Sequence, residues 1–329
     1  MRIERLELEG FRNYVCQAAD FDPRCNVVCG ENAQGKTNLL EALVYLSRGR
    51  SPRARTDREM IGFQAEAARL RTRAASRERE FWVQADLFRG RRRRLTVNQV
   101  PVKTNAALGD VYHTVLFQPE DLYLIREGAA ARRRFLDTAL CQLRPRYAAA
   151  LAGYERAREQ KTRILRDYDQ RPDLLEALPE FNEQMIRLGA ALVQYRHQFC
   201  LRLAEYAALH HRECSGGRET LTLQYQTVSS IEDPGMEIGI LADRLRRHME
   251  SHREAELSSR LCLSGPHKDD ILVSIDGREA KQYASQGQTR TAALALKLAE
   301  REIYKNAAEE YPVLLLDDVL SELDPKRQE

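Results

Sequence analysis

Eight consecutive residues, Gly30-Glu31-Asn32-Ala33-Gln34-Gly35-Lys36-Thr37, fit the pattern glycine, four residues of any type, Gly-Lys-Thr. The spacing suits phosphate. Backbone N–H groups of such a turn curl around a β-phosphate, Lys36 reaches the β- and γ-oxygens, and Thr37 offers a hydroxyl to Mg²⁺. A helix that starts at the loop adds the positive end of its dipole. Small-molecule kinases, transporter motors, GTPases and DNA-repair clamps all use this loop, so it leaves the function class open. A second chemical stretch is Leu314-Leu315-Leu316-Asp317-Asp318. An apolar strand ending in acids places carboxylates at the C-terminal edge of a sheet, beside a phosphate loop. Asp317 is the expected Mg²⁺ holder, through water, and Asp318 the group that orients or polarises an attacking water.

Three further stretches are candidates. Ala284-Ser285-Gln286-Gly287-Gln288 opens a long helix. Ser-x-x-Gln is a capping box, and a Ser hydroxyl with a Gly amide at a helix N-terminus is equally a socket for a terminal phosphate. Ser321-Glu322-Leu323-Asp324 follows the acids, as a helix cap or as a segment at a subunit seam. Gln118, in Phe117-Gln118-Pro119-Glu120-Asp121-Leu122, is a candidate sensor of Mg²⁺ or of the attacking water, or part of a surface turn.

Strand, loop and helix must surround these residues. Met1 to Tyr14 reads as a strand with Leu6 and Leu8 on one face. Asn26-Val27-Val28-Cys29 reads as a short strand running into the phosphate loop, and Asn38 to Ser47 as a helix. Phe81–Phe88 and Arg93–Val100 read as a hairpin turned at Arg89-Gly90. Val115-Leu116-Phe117 is a buried-type strand stopped by Pro119. Beyond Asp121 the period changes. Leu143, Tyr147, Ala150, Tyr154, Ala157, Lys161 and Ile164 step by four and three, as do Phe181, Met185, Leu188, Leu192, Tyr195 and Phe199. This spacing predicts an antiparallel helical hairpin with arms of roughly 35–45 Å, or two core helices of a bundle. Leu221–Tyr225 and Ile271–Ile275 restore strand signals, the latter with an Asp276-Gly277 turn. Gln288 to Glu310 is a helix with Leu294, Leu298 and Ile303 on one side.

Composition narrows the class. A chain of 329 residues allows roughly two domains, or one with a large insertion. Seven scattered cysteines, at 16, 25, 29, 141, 200, 214 and 262, form no Cys-x-x-Cys pair. This argues for a reducing cytoplasm and against a disulfide framework or zinc site. No apolar run approaches membrane-spanning length. The net charge of +3 says little, but residues 48–94 hold fifteen arginines against six acids. Arg89, Arg91, Arg92, Arg93 and Arg94 nearly form a run. Such a field attracts polyanions, nucleic acid among them. Arg outnumbers Lys 44 to 8 over the whole chain, so a solvated face in an arginine-biased composition is the competing account.

In order along the chain, these pieces resemble the RecF family of bacterial recombination-mediator ATPases, within the SMC/ABC superfamily. The matching stretches run nearly end to end. They are Phe11-Arg12-Asn13-Tyr14, residues 30–42, Pro119-Glu120-Asp121-Leu122, Arg132–Asp137, Ser264-Gly265-Pro266-His267-Lys268-Asp269-Asp270, Ala284–Gln288 and Leu314–Asp324. The resemblance implies an α/β, ABC/SMC-type P-loop ATPase head with an inserted helical, short coiled-coil-like domain. Expected bounds are 1–122 for the first part of the head, 123–215 for the insertion and 216–329 for the second part. ATP and Mg²⁺ are the implied cofactors. Residues 30–37, Ser285, Gly287, Gln288 and Asp324 are the implied nucleotide contacts, Thr37 and Asp317 the metal holders, and Lys36, Asp317, Asp318 and Gln118 the catalytic set. In ABC-type ATPases the serine socket faces the nucleotide of the opposite subunit, so the site closes only in a head-to-tail homodimer.

The implied activity is slow, switch-like, DNA-stimulated ATP hydrolysis in recombinational repair, replication restart and the SOS response. Implied partners are duplex DNA, single-strand gaps and junctions, with RecO and RecR, in loading RecA in the cytoplasm, without a membrane. The sequence departs from the family at two points. Lys268 stands where arginine is usual, and family members continue past the position of Glu329 with a helix and a strand bearing a γ-phosphate sensor, which predicts a truncated C-terminus. Two rivals remain, the ATPase motor of a membrane complex and a nucleotide-dependent DNA-binding module with negligible hydrolysis.

Overall fold

The computed structural model describes residues 1–109 and 111–318, which fall into two compact units, residues 1–121 with 300–318, and residues 122–299. The first unit is built on strands β1 (Arg2–Phe11), β2 (Tyr14–Asp20), β3 (Ala67–Ala75), β4 (Glu80–Phe88), β5 (Arg94–Val97) and β6 (Val100–Val102), with helix α1 (Lys36–Arg48). These strands form one antiparallel sheet in the order β2-β1-β3-β4-β5-β6. Alternation drives its packing. Leu6, Leu8, Leu70, Val83, Ala85 and Leu87 point to one face and bury against Leu39, Leu43, Val44 and Leu46 of α1. The other face carries Arg5, Arg69, Arg71 and Arg73, laced to Glu4, Glu7, Glu9, Asp20, Glu80 and Asp86. A separate parallel pair, β7 (Thr114–Phe117) with β11 (Val313–Leu316), runs in register from Thr114↔Val313 to Phe117↔Leu316.

The expected strand at Asn26–Cys29 does not form. The Asn26 side chain instead closes a turn onto Asp22, accepting from its N–H and donating to its carbonyl, both at 2.8 Å. Val27 stays 81% exposed. Without a ladder partner or burial among the described residues, apolar character alone does not make a strand.

The second unit contains α2 (Ala129–Leu143), α3 (Pro145–Asp167), α4 (Leu178–Cys214), β8 (Leu221–Gln226), α5 (Ile238–Ser251), α6 (Arg253–Ser259), β9 (Asp270–Ile275), β10 (Arg278–Glu279), α7 (Ala280–Tyr283) and the start of α8 (Gln286–Ala308). Helices α3 and α4 form the expected hairpin, with Tyr147, Tyr154, Ala157, Met185, Leu192 and Phe199 buried. It is no free two-helix arm, because α4 also packs on α5 and β8, and α2 on β9. Those contacts bury Leu221, Leu241, Leu245, Ile271 and Val273. Residues 216–299 lie in the same compact unit as these helices. Lys161, at an apolar seam position, is fully buried and meets the Glu256 carboxylate of α6 at 2.6 Å, the partner a buried ammonium requires. On α8 the buried stripe is Ala292, Ala295, Leu296, Ala299 and Ile303, while Leu294 and Leu298 are only half-buried. Alanines let neighbours approach closely on several sides, so the larger leucines do not mark the most buried face.

Candidate nucleotide site and arginine hairpin

Gly30, Ala33 and Gly35 adopt positive φ, 156°, 65° and 106°, which winds residues 30–35 into an open loop before α1 starts at Lys36. At Gly35 a Cβ would lie 2.7 Å from the Asn13 amide, so the left-handed backbone and the close neighbour both require glycine there. The turn between β1 and β2 braces the loop. Asn13 donates to the Gln34 carbonyl at 3.0 Å and accepts from Asn38 at 2.9 Å, and Tyr14 donates to the Gly35 carbonyl at 3.1 Å. Partial burial raises the Tyr14 pKa and keeps its hydroxyl a donor. Arg12 grips the buried Glu41 of α1 with two bonds, at 2.7 and 2.9 Å. Sequence reasoning gave residues 12–14 no role. Their signal, a polar turn after an apolar strand, is shared by countless surface hairpins.

Lys36 folds back onto its own loop, donating to the carbonyls of Gly30 at 2.7 Å and Glu31 at 2.9 Å. The Thr37 hydroxyl donates to the Asp317 carboxylate at 3.0 Å across 280 residues of sequence. Asp317 is placed by the parallel pair, its N–H donating to the Phe117 carbonyl at 2.9 Å. That pairing sets Gln118 beside it at the same sheet edge. The Gln118 N–H donates to the Asp121 carboxylate at 3.0 Å, closing the turn that follows β7. Asp318 is exposed, with φ 52°. The first unit therefore brings together residues 30–37, Gln118 and Asp317, with Asp318 next in the chain. A hydroxyl and a carboxylate are hard oxygen donors suited to Mg²⁺. An ammonium, a glycine-rich loop and a helix N-terminus suit phosphate. The residues present therefore fit a magnesium–nucleotide pair.

Ser285, Gly287 and Gln288 lie at the N-terminus of α8 in the second unit. Ser285 and Gln288 form a reciprocal capping box. The Ser285 N–H donates to Gln288 Oε1 at 2.8 Å, and the Gln288 N–H to Ser285 Oγ at 3.2 Å. Gln288 also donates to Glu219 at 3.0 Å. Ser285 is exposed and its O–H remains a donor. Asp324, with the rest of 319–329, lies outside the described residues.

The segment 264–270 supplies a polar keystone to the second unit. Buried Arg196 spans Asp137 and Asp269, each at 2.8 Å, and donates to the Pro266 carbonyl at 2.7 Å. Tyr225 hydrogen-bonds Asp269, and Arg132 forks onto Asp270 at 2.6 and 2.8 Å. Burial raises the Asp269 pKa against the pull of Arg196. His267 Nε2 meets the Cys262 carbonyl at 3.0 Å and so carries the proton, which leaves Nδ1 to accept from Tyr154 at 2.7 Å. Burial first, then nearby Arg158, Lys268 and Arg133, lower its pKa to about 4. The Lys268 side chain points to solvent.

The arginine run splits into two groups. Arg89 donates to the carbonyls of Ala65 and Gly62, both at 2.9 Å, and clamps the tight turn between them. Phe63, at the tip of that turn, is fully exposed. Arg93 turns inward to Tyr45, Gly49, Asp57 and Asn105. Arg91, Arg92 and Arg94 face solvent and, with Arg69, Asp86 and Phe88, line a groove of about 320 Å³. The Arg91 guanidinium lies 3.7 Å above the Phe88 ring. Residue type alone does not reveal this division, because which way a turn residue points depends on backbone geometry.

No helix among the described residues is long and apolar enough to cross a membrane. The model of the RecF/RecN/SMC N terminal domain matches residues 2–329. The "DNA replication and repair protein RecF" of Agathobacter rectalis is 39% identical over all of this chain and 88% of its own length. That of Bacillus subtilis is 36% identical with the same coverage. A solved structure of the recombination mediator protein RecF with ATP, in the RecFOR pathway, superposes with a TM-score of 0.92 at 30% identity, covering 99% of this chain and 87% of that one. An Smc head bound to the C-winged helix domain of ScpA, at a TM-score of 0.51 and 14% identity, shares the fold. A glycine-rich loop joined to an acidic strand end, on an α/β chain that superposes on RecF along nearly its whole length, leaves one assignment: the chain belongs to the RecF family of DNA replication and repair proteins, with the ABC/SMC-type ATPase fold.

Proposed function

We propose that the chain is an ATP-dependent DNA-binding protein of recombinational repair and replication restart, which pairs head to tail around bound ATP and is reset by slow hydrolysis. The observation that carries this reading is the 3.0 Å hydrogen bond between Thr37 and Asp317. It joins the phosphate loop to the acidic strand end. ATP's triphosphate would enter the loop, where Lys36 and the first amides of α1 meet its charge. Mg²⁺, held by Thr37 and, through water, by Asp317, supplies further charge neutralisation. Gln118 and Asp318 would position the attacking water. Ser285, Gly287 and Gln288, with Asp324, would complete the partner's pocket, so ATP acts as the glue of the pair.

DNA would be held by Arg91, Arg92 and Arg94, while Arg89 and Arg93 hold the hairpin in shape. The RecFOR pathway named for the neighbouring structures supports cooperation with RecO and RecR, and that cooperation would serve to load RecA at gaps. The test is binding to gapped DNA with ATP, with ADP and without nucleotide, alongside light scattering. Tighter DNA binding and a dimer only with ATP are expected. Equal DNA binding in all three states would overturn the reading. ATP-driven pairing without measurable phosphate release would favour the module with negligible hydrolysis.

A further inference from the structure

We propose that Arg93 is a positioning residue that ties the arginine hairpin to the phosphate-loop helix, so that DNA bound at Arg91, Arg92 and Arg94 changes the affinity for ATP. The proposal rests on the nucleotide and DNA reading above. Three of the four residues from Arg91 to Arg94 face solvent and make no ion pair among the described residues. Arg93 does the reverse. Its Nη1 donates to the Gly49 carbonyl at 2.7 Å, the Tyr45 hydroxyl at 2.8 Å and the Asp57 carboxylate at 3.2 Å, and its Nη2 donates to Asn105 Oδ1.

These acceptors converge on one place, the C-terminus of α1. Gly49 caps that helix in the left-handed region, its N–H on the Tyr45 carbonyl at 2.7 Å. A Cβ there would strike Asn105 at 2.7 Å. Asn105 donates to the same Gly49 carbonyl at 3.1 Å. Tyr45 is fully buried and donates to Asp57 at 3.0 Å. A cation on a terminal carbonyl also complements the negative end of the helix dipole. The other end of α1 is Lys36 and Thr37. A helix of 13 residues is a rod of about 20 Å, short and well packed enough to move as one piece. Beside Arg93's anchor, Arg48 donates to the Thr114 carbonyl at 2.9 Å, at the start of the strand that leads to Gln118.

One side chain therefore grips the far end of the nucleotide helix from within the turn that presents the DNA arginines. Phosphates drawn into the groove at Arg91, Arg92 and Arg94 pull on a turn whose central residue holds α1. The two sites are then coupled, and coupling of this kind typically changes affinity about 5- to 150-fold, equally in both directions.

The test uses the full chain and two titrations, a fluorescent ATP analogue with and without saturating gapped DNA, and gapped DNA with and without ATP. Wild type should show the same ratio in both, at least about 5-fold. Arg93→Lys keeps the charge but loses the planar fork, so each separate affinity should stay within about threefold while the ratio collapses towards one. Asn105→Ala, which loosens the anchor from outside the hairpin, should lower the ratio in the same way, and stands in if Arg93→Lys folds poorly. The triple change to Gln at 91, 92 and 94 should weaken DNA binding and leave ATP affinity without DNA unchanged. If Arg93→Lys weakens DNA binding as the triple does, Arg93 is a contact and the tie is overturned. An unchanged ratio in both anchor variants overturns it as well. A wild type that binds both ligands with a ratio of one sinks the tie and the ATP-dependent reading together, whereas a coupled wild type with unchanged ratios in both anchor variants sinks the tie alone. A wild type that binds neither sinks the functional reading with it.

Discussion

Lys36 donates to two loop carbonyls, at 2.7 and 2.9 Å. A phosphate would exchange these neutral acceptors for an anionic one, and a hydrogen bond to a charged group contributes about 1.5–3 kcal/mol. Lys36→Ala should therefore weaken ATP binding about 10- to 100-fold and abolish ATP-driven pairing, checked by titration calorimetry and light scattering. Retained nucleotide-dependent pairing would remove the loop from its role. His267 allows a sharper test. Its folded pKa of about 4 lies below the ordinary 6.5. Between these values the unfolded chain binds a proton that the folded chain refuses, so stability is lost as pH falls from about 6.5 towards 4. Asp269, raised by burial, contributes with the opposite sign. Comparison with His267→Gln isolates the histidine, and the variant's melting temperature should vary less across that window. The residues of the phosphate loop were legible because each type has one job at fixed spacing. The bracing by Asn13 and Tyr14 was not, because a hydrogen bond between distant segments leaves no local pattern.

Elements were legible where period and burial agree. Leu6 and Leu8 alternate into the core, and the α3–α4 stripe steps by four and three because both faces bury side chains. Residues 26–29 failed because a strand needs a partner as well as apolar residues. The leucines of α8 misdirected because alanine, the smaller residue, occupies the tightest contacts. The N-terminus of α8 carries two meanings that composition cannot separate. The capping box is formed in the free chain, and the same Ser285 hydroxyl remains a donor for a terminal phosphate. Ser285→Arg fills the mouth of that socket with a long cation and leaves the phosphate loop untouched. ATP should still bind, with affinity within a few-fold of wild type, while light scattering shows a monomer at every ATP concentration. A dimer with normal DNA affinity would show that α8 lies away from the seam.

Over the whole molecule, net charge concealed the one strongly basic region. A balance of +3 overall coexists with fifteen arginines against six acids between residues 48 and 94, and on the sheet face Arg69, Arg71 and Arg73 of that stretch are paired with acids. Replacing Arg91, Arg92 and Arg94 by Gln should lower the log–log dependence of DNA affinity on salt by about 2–3 units, because each phosphate contact contributes about 0.9. An unchanged slope would place the DNA elsewhere. Chain order alone does not show packing, since residues 216–299 share one compact unit with α4.

The turn that Arg89 clamps has its own consequence. Two carbonyls gripped by one guanidinium shape a turn whose Phe63 ring stands in water. The isolated chain forgoes about 1.5–3 kcal/mol that covering such a ring would release. A surface that closes over Phe63 would collect that energy.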